Sequence, residues 1–188
     1  MADDHRHGYA AEIERDRAAK DAFFKTSPSS PIPASERHAF SGLRYFPVDP
    51  TLRFARLQLL PYRGEAPSAF EIPTSDGQLR PAHRVGSFTF RAGGALCSLT
   101  AYVIDGGGSP SLFVPLLDGT SGVESYGAGR YLDLEAEDDG TYVLDLNLAY
   151  HPYCVYADTY SCPLTPRENR LPVRIEAGER LPTDPAAS

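Results

Sequence analysis

The sequence predicts a mainly-β fold, in which an antiparallel meander closes into a barrel or sandwich. One N-terminal helix precedes the meander, and a long ordered C-terminal loop follows it. The 16 glycines and 17 prolines among 188 residues favour short strands joined by turns over long helices. The length fits one domain. We therefore expect residues 1–188 to form a single domain, with a helix and linker over 1–30 and a β-rich core with its lid over 38–180.

The segment 8–25 is the helix that the pattern predicts. Tyr9, Ile13 and the Phe23–Phe24 pair form an apolar stripe, and Asp16 and Lys20 are spaced as a favourable ion pair one turn apart. The following "TSPSSPIP" ends the helix, because proline cannot continue it. We expect this helix to pack on the outside of the core.

From Phe40 onward, the pattern changes to short apolar runs separated by turn sequences. Runs with strand character cover 68–74, 83–92, 94–105, 111–118, 130–137 and 141–150. Gly93–Gly94, "GGGSP" at 106–110 and "DDG" at 138–140 mark turns between them. Strands joined by such short turns are antiparallel neighbours, so these runs predict a meander of at least five strands. Segments near 54–60 and 171–176 would complete the barrel or sandwich.

The charge distribution excludes several classes of partner. The formal net charge is −7, and the sequence has no basic run. Binding to a phosphate backbone or to an anionic membrane surface requires clustered Lys and Arg, so we expect no nucleic-acid partner and no membrane partner. The N-terminus is charged from its third residue and has no apolar core, and it does not resemble a secretory signal. We expect a cytoplasmic protein.

A first group of polar residues lies between two apolar strands, in the connection 116–130. This connection is longer than a hairpin requires, and long ordered connections are often functional. The "GAG" sequence followed by Arg130 could present amides and a guanidinium to a carboxylate or phosphate. Alternatively, Arg130 pairs with Asp118, Glu124 or Asp145 and pins the loop. The polar residues of this group are Asp118, Thr120, Ser121, Glu124, Tyr126 and Arg130.

A second group of polar residues lies at the start of the C-terminal loop. The alternation in "DLNLAY" predicts that Asp145, Asn147 and Ala149 share one face of a strand, opposite the leucines and Tyr150. This polar face points either into a cavity or into water. The loop that follows is rich in tyrosine and proline, a composition that favours a rigid cover. Near its end, Glu168 and Asn169 either cap the loop or reach the pocket.

The three cysteines are Cys97, Cys154 and Cys162. Cys97 lies in an apolar strand and is expected to be a buried small hydrophobe. Cys154 and Cys162 are too far apart in sequence for a tight zinc-binding pair, and we assign no metal site. They remain as two thiols or as a disulfide that closes the loop, and a reducing cytosol favours the thiols.

Several of these segments resemble a prokaryotic family, domain of unknown function 1684. The resemblance rests on "FSGLRYFPVDPTLRF", "LFVPLLDGTSGVESYGAGRYLDL" and "LDLNLAYHPYCVYADTYSCPLTPRENRLPVRIEAGER", which lie within residues 40–180. This chain has His151–Pro152 where the family resemblance leads us to expect Asn-Pro. The resemblance implies no activity, but it implies that the following residues belong together: Asp118, Thr120, Tyr126, Arg130, Asp145, Asn147, Tyr150, Cys154, Cys162, Glu168 and Asn169.

The sequence therefore predicts a pocket for a small anionic or polar ligand between segments 116–130 and 145–170. Asp145 and Glu168 are the candidate acid and base of a hydrolase-type reaction. The candidate ligand-binding residues are Arg130, Tyr126, Asn147, Asn169, Thr120 and Tyr150. The alternative is a non-enzymatic structural or protein-interaction module, in which the same polar cluster only fixes the loop.

A third hypothesis is a flavin-binding barrel, since small barrels can hold a cofactor at their mouths. The sequence contains no phosphate-binding fingerprint and no tryptophan that would support it. It identifies no other cofactor and does not define an oligomeric state.

Overall fold

The computed structural model describes residues 2–106 and 111–181, with side chains from residue 8 onward. Within these ranges the chain is mainly β, with one α-helix, α1 at Ala2–Thr26. The strands are β1 Arg44–Tyr45, β2 Arg53–Leu57, β3 Leu60–Pro61, β4 Ala69–Pro73, β5 Leu79–Ala92, β6 Ala95–Ile104, β7 Leu112–Leu116, β8 Arg130–Leu134, β9 Tyr142–Asp145 and β10 Glu179–Arg180. Short 3-10 turns cover Arg37–Ala39, Pro50–Leu52, Leu146–Leu148, Tyr153–Val155 and Arg167–Asn169. In this part of the chain, no helix is long and apolar enough to cross a membrane.

The strands form three antiparallel sheets. The largest has six strands in the order β3-β5-β6-β7-β8, with β4 also paired to β5. The strand pairs β2–β9 and β1–β10 form two further sheets. The β5–β6 hairpin turns at Gly93 and Gly94, both with positive φ, as the sequence predicts. The "GGGSP" turn predicted at 106–110 lies largely outside the described residues.

The mainly-β antiparallel fold is confirmed, but of the predicted barrel or sandwich the barrel is not supported, because no sheet among the described residues closes on itself. The chain changes sheet four times, and two of these changes fall within features that the pattern predicts as continuous or neighbouring strands. The predicted run 54–60 breaks after Leu57 into β2 and β3, which pair with different partners. Arg56, with a positive φ of 59°, lies at a register shift within β2. The "DDG" turn forms, but β8 and β9 share only the Ala136–Tyr142 bridge, and β9 then pairs with β2. As a result, β8 stays at an edge of the large sheet.

The core lies between the large sheet, the β2–β9 pair and the C-terminal segment. Phe54 of β2 packs on Phe90 of β5, with the two ring centroids 4.8 Å apart, and Tyr142 of β9 packs on Phe88. The segment 171–176 is not the strand that the pattern predicts. It runs parallel to residues 117–119, with Leu171 donating to the Leu117 carbonyl at 2.7 Å.

Helix α1 begins earlier than predicted and packs against the C-terminal loop and β10. Ile13 and Phe24 are buried on its inner face. The Phe24 ring makes edge contacts with Tyr153 and Tyr156 of the loop. The apolar stripe of the helix is therefore narrow, and polar contacts supply much of the remaining interface.

Gly129, directly before β8, allows close approach between two segments. Its φ is +107°, and a Cβ at this position would lie 2.6 Å from the Leu116 carbonyl oxygen and 2.3 Å from Thr165 Oγ1. Gly140 also has a positive φ, of +75°, but a Cβ there would meet nothing within 4 Å. Alanine substitutions at the two glycines therefore distinguish the cost of a positive φ from the cost of steric crowding around the added Cβ.

We expect Gly129→Ala to destabilise the protein more than Gly140→Ala. The Gly140 variant carries only the penalty of a left-handed alanine, about 1–2 kcal/mol. The Gly129 variant must also displace the Leu116 carbonyl, so we expect it to lose at least about 2 kcal/mol more of the free energy of unfolding. Urea denaturation of both variants measures the difference, and equal losses would contradict the close approach.

Candidate functional site

Arg130 is fully enclosed by protein. Its side chain is 0% exposed, and its guanidinium donates to the carbonyls of Ile175 at 2.8 Å, Glu179 at 3.1 Å and Ala177. The Asp118 carboxylate lies 3.4 Å away. Burial lowers the pKa of Arg130, and Asp118 opposes this effect. The guanidinium of Arg130, which the sequence suggested as a binding site for an anion, is thus bound by acceptors of the protein itself.

Asp118 organises the connection 116–130 around Arg130. It is 2% exposed and accepts from the Ile175 amide at 2.6 Å and from the Thr120 hydroxyl at 2.9 Å. The Thr120 hydroxyl in turn contacts Ser125 Oγ at 2.9 Å. These bonds tie the connection to the C-terminal segment, and they place Thr120 inside the same buried cluster.

Glu179 is a second buried centre, which the sequence reasoning missed. It accepts from Lys20 Nζ of α1 at 2.5 Å, from the His151 amide at 2.7 Å and from the Tyr156 hydroxyl at 3.2 Å. Its position in "EAGERLP" carries no sequence signal beyond an ordinary surface glutamate. Folding makes it the carboxylate that joins the helix to the loop.

His151 lies beside Glu179 as a neutral imidazole. Its Nδ1 is 3.6 Å from Glu179, and its Nε2 accepts from the Tyr126 amide at 3.2 Å. Burial, together with the smaller effects of the Arg130 and Lys20 charges, lowers its pKa to about 3. If the His151 ring were protonated, its Nε2–H would face the Tyr126 amide N–H, and two hydrogen-bond donors would oppose each other. The contact with Glu179 is therefore not an ion pair at neutral pH.

Asp145 and Asn147 lie where β9 ends and a 3-10 turn begins, so the alternating strand face predicted for "DLNLAY" is wrong beyond Asp145. Asn147 pairs with both backbone groups of Asp49, at 2.8 Å each. Asp145 accepts from the Asn147 amide at 3.0 Å and from the Tyr9 hydroxyl at 2.6 Å. Arg53 lies 3.6 Å from the Asp145 carboxylate.

Asn169 and Glu168 lie near the end of the C-terminal loop. Asn169 is fully buried and pairs with both backbone groups of Thr100 at 2.8 Å, and it also donates to the Pro115 carbonyl. Glu168 accepts from Arg84 at 2.9 Å and from the Tyr102 hydroxyl at 3.0 Å. Burial alone would raise the pKa of Glu168, but hydrogen bonds from the backbone, Arg84 and Tyr102 hold it below its ordinary value.

The two polar segments do meet. Tyr126 contacts His151, and Tyr131 forms a bridge with Tyr150. Their charged groups nevertheless form separate clusters. Arg130, Asp145 and Glu168 share no hydrogen-bond partner among the described residues. Asp145 lines a cavity next to α1.

Cys154 and Cys162 are free thiols close to Tyr126. The Cys154 amide donates to Cys162 Sγ at 3.4 Å. Among the side chains that the structure describes, over residues 8–106 and 111–181, no group of three His, Cys, Asp or Glu has the arrangement of a metal site. Cys97 is buried in β6, as expected from its apolar strand.

A groove of about 700 Å³ separates α1 from β8 and β9. We call it the acidic groove. Among the side chains that the structure describes, six carboxylates line it, together with Arg53. Tyr9 and Tyr150 contribute aromatic rings. The carboxylates are those of Glu12, Asp16, Asp133, Glu135, Glu137 and Asp145.

A second cavity, of about 450 Å³, adjoins the acidic groove. We call it the tyrosine cavity, because Tyr131, Tyr150 and Tyr153 line it together with Lys20 and Cys162. Tyr150 and Asp133 belong to both cavities, and the Tyr150 hydroxyl donates to Asp133 at 2.5 Å. Of the predicted ligand-binding residues, Tyr150 is the one that reaches these surfaces.

Fold and site together define a mainly-β protein with one helix, whose long C-terminal loop is fixed by buried polar clusters. The chain belongs to the family described as Protein of unknown function (DUF1684), whose sequence model matches residues 38–180. This confirms the resemblance in the sequence. The chain is also similar to an uncharacterized protein of Haloarcula marismortui solved by solution NMR. The two are 38% identical with a TM-score of 0.66, over 95% of this chain and 97% of the archaeal one. No curated protein matches.

We expect Arg130→Met to lower the free energy of unfolding by about 3–5 kcal/mol, because the change leaves the Asp118 charge buried without its partner. Arg56→Met is the matched control. Arg56 pairs with Asp139 at 3.2 Å, but its side chain is 80% exposed, so its loss costs less than about 1 kcal/mol. Urea denaturation measures both, and similar losses would contradict a structural role for Arg130.

We expect His151 to make the protein less stable in acid. Between pH 6.5 and about 3, the unfolded chain binds a proton at His151 that the folded protein does not. Stability therefore falls as pH falls through this window, by up to about 1.4 kcal/mol per pH unit. The His151→Asn substitution removes the titrating imidazole, so the unfolded chain no longer takes up this proton. A wild-type stability curve that stays parallel to that of the variant from pH 6.5 to 4 would show that His151 is not held neutral.

Proposed function

We propose that this protein binds a small organic cation, such as an amine, in the acidic groove. The observation that carries the proposal is the charge of the groove, in which six carboxylates face one arginine. Opposite charges attract across a partly desolvated surface far more strongly than in bulk water. An anionic ligand would be repelled from this groove.

The aromatic rings at the groove support the same class of ligand. Cations bind over the faces of tyrosine rings. The Lys20 ammonium already lies 4.8 Å from the centre of the Tyr150 ring, and the Arg53 guanidinium lies 5.6 Å from that of Tyr9. Carboxylates with tyrosine faces suit an alkylammonium group, which needs both a counter-charge and an apolar contact. The net charge of −7 would further raise the local concentration of cations.

The buried clusters support a binding role more than hydrolysis. Acid/base catalysis needs two groups within reach of the same substrate atom. Asp145 lines the groove, whereas Glu168 is paired with Arg84 and Tyr102 elsewhere. We infer that Arg130, Thr120, Asn147 and Asn169 hold the loop that forms part of the wall. We also propose a cytoplasmic location, in keeping with three free thiols.

A second candidate function is the non-enzymatic interaction module. It is favoured by the internal hydrogen bonds of the predicted ligand-binding residues, since residues with protein partners have little left to offer a ligand. In that case the groove would bind no small molecule, and function would reside in a partner surface.

The test uses three probes of similar length that differ in charge: 1,4-diaminobutane, 1,4-butanediol and succinate. We expect only the diamine to shift the amide resonances of β8 and α1 in a heteronuclear NMR titration. Its affinity should fall as salt is added, because screening weakens exposed charge pairs.

Glu135→Gln/Glu137→Gln neutralises two groove carboxylates, and we expect it to weaken diamine binding about three- to tenfold. The matched control is Glu65→Gln/Glu71→Gln, which removes the same charge from exposed positions off the groove. If both double variants weakened diamine binding equally, the binding would be explained by non-specific charge attraction and not by the acidic groove. Absence of diamine binding would contradict the proposal and favour the interaction module.

A further inference from the structure

The two cysteines of the C-terminal loop lie side by side in the fold. Cys154 belongs to the 3-10 turn Tyr153–Val155, and the chain then returns so that the Cys154 amide donates to Cys162 Sγ at 3.4 Å. The Cys154 thiol lies within hydrogen-bonding reach of Cys162, and its sulfur is 4.0 Å from the Tyr126 hydroxyl. The two thiol side chains therefore interact directly.

The two cysteines are anchored to different parts of the protein. Cys162 exchanges hydrogen bonds with Ser75, at the turn between β4 and β5. On the Cys154 side, the neighbouring residues Tyr153 and Tyr156 pack on Phe24 of α1. A covalent bond between the two sulfurs would therefore join the half of the loop that holds the helix to the half that is tied to the large sheet.

The two thiols differ in accessibility. Cys154 is half-buried, whereas Cys162 is 8% exposed and lines the tyrosine cavity. Burial is the main cause that raises the pKa of the Cys162 thiol to about 11, and a thiolate is the attacking form. Cys154 is therefore the more accessible sulfur and reacts first, and Cys162 is placed to resolve the product.

We propose that Cys154 and Cys162 form a reversible disulfide that acts as a redox-sensitive staple of the C-terminal loop. The oxidant is a low-molecular-weight disulfide of the glutathione class. Such pairs in a reducing compartment are typically redox-sensing rather than permanent.

The exchange proceeds in two steps. The Cys154 thiolate attacks one sulfur of the oxidant, and the other sulfur leaves as a thiolate, so that a mixed disulfide remains on Cys154. Cys162 then gives up its proton and attacks the Cys154 sulfur, releasing the second thiol. In sum, two protein thiols lose two hydrogens, and one disulfide is reduced to two thiols.

The test equilibrates the full chain with oxidised glutathione, traps free thiols with an alkylating reagent and maps disulfides by mass spectrometry of peptides. We expect a Cys154–Cys162 link that dithiothreitol reverses. Closing a loop of this length should raise the melting temperature by about 5–10 °C. The loss of this rise on reduction is the readout for a staple.

Cys154→Ser and Cys162→Ser should each abolish the temperature rise, whereas Cys97→Ala keeps the pair and should retain it. Cys162→Ser should also accumulate glutathione on Cys154, because the resolving thiol is gone. If a variant folds poorly, disulfide mapping of the wild-type chain alone still tests whether the link forms. The proposal is overturned if the wild-type protein keeps glutathione on Cys154 without forming the link, or if the link forms only in denaturant.

Discussion

The enclosure of the Arg130 guanidinium constrains the rest of the structure. A charge removed from water must find acceptors inside the protein. Arg130 takes them from every second residue of the C-terminal segment, at Ile175, Ala177 and Glu179. This fixes the path of the segment against the connection 116–130. Glu179 is thereby placed to accept from Lys20, so the same constraint extends to helix α1.

Two asparagines serve the fold in a second, related way. A side-chain amide carries a donor and an acceptor in the geometry of a peptide group. Asn169 pairs with both backbone groups of Thr100, and Asn147 does the same with Asp49. Each asparagine side chain supplies the pair of hydrogen bonds that a neighbouring strand would otherwise provide to that residue. Buried peptide groups are costly when unpaired, so these residues allow irregular chain to lie against the sheets.

The buried clusters and the acidic groove are linked through α1. The helix is held on its inner face by Phe24 and by bonds from Tyr9 and Lys20 to buried carboxylates. Glu12 and Asp16 of the helix line the acidic groove together with Asp133 of β8, the last strand of the large sheet. Tyr150, Tyr153 and Cys162 of the loop line the neighbouring tyrosine cavity, and Tyr150 also lines the acidic groove, so a change in the loop alters one wall of both surfaces.

The sequence by itself determined the local elements. Helix α1, the Gly93–Gly94 hairpin and the strands β4 to β8 follow from periodicity and turn residues, which act between neighbours in the chain. Only the tertiary structure decided that β9 leaves β8 for β2, that Asp145 ends a strand and that Arg130 faces carbonyls. These outcomes depend on partners far away in sequence, whose position is fixed only when the core packs and every buried charge must find an acceptor.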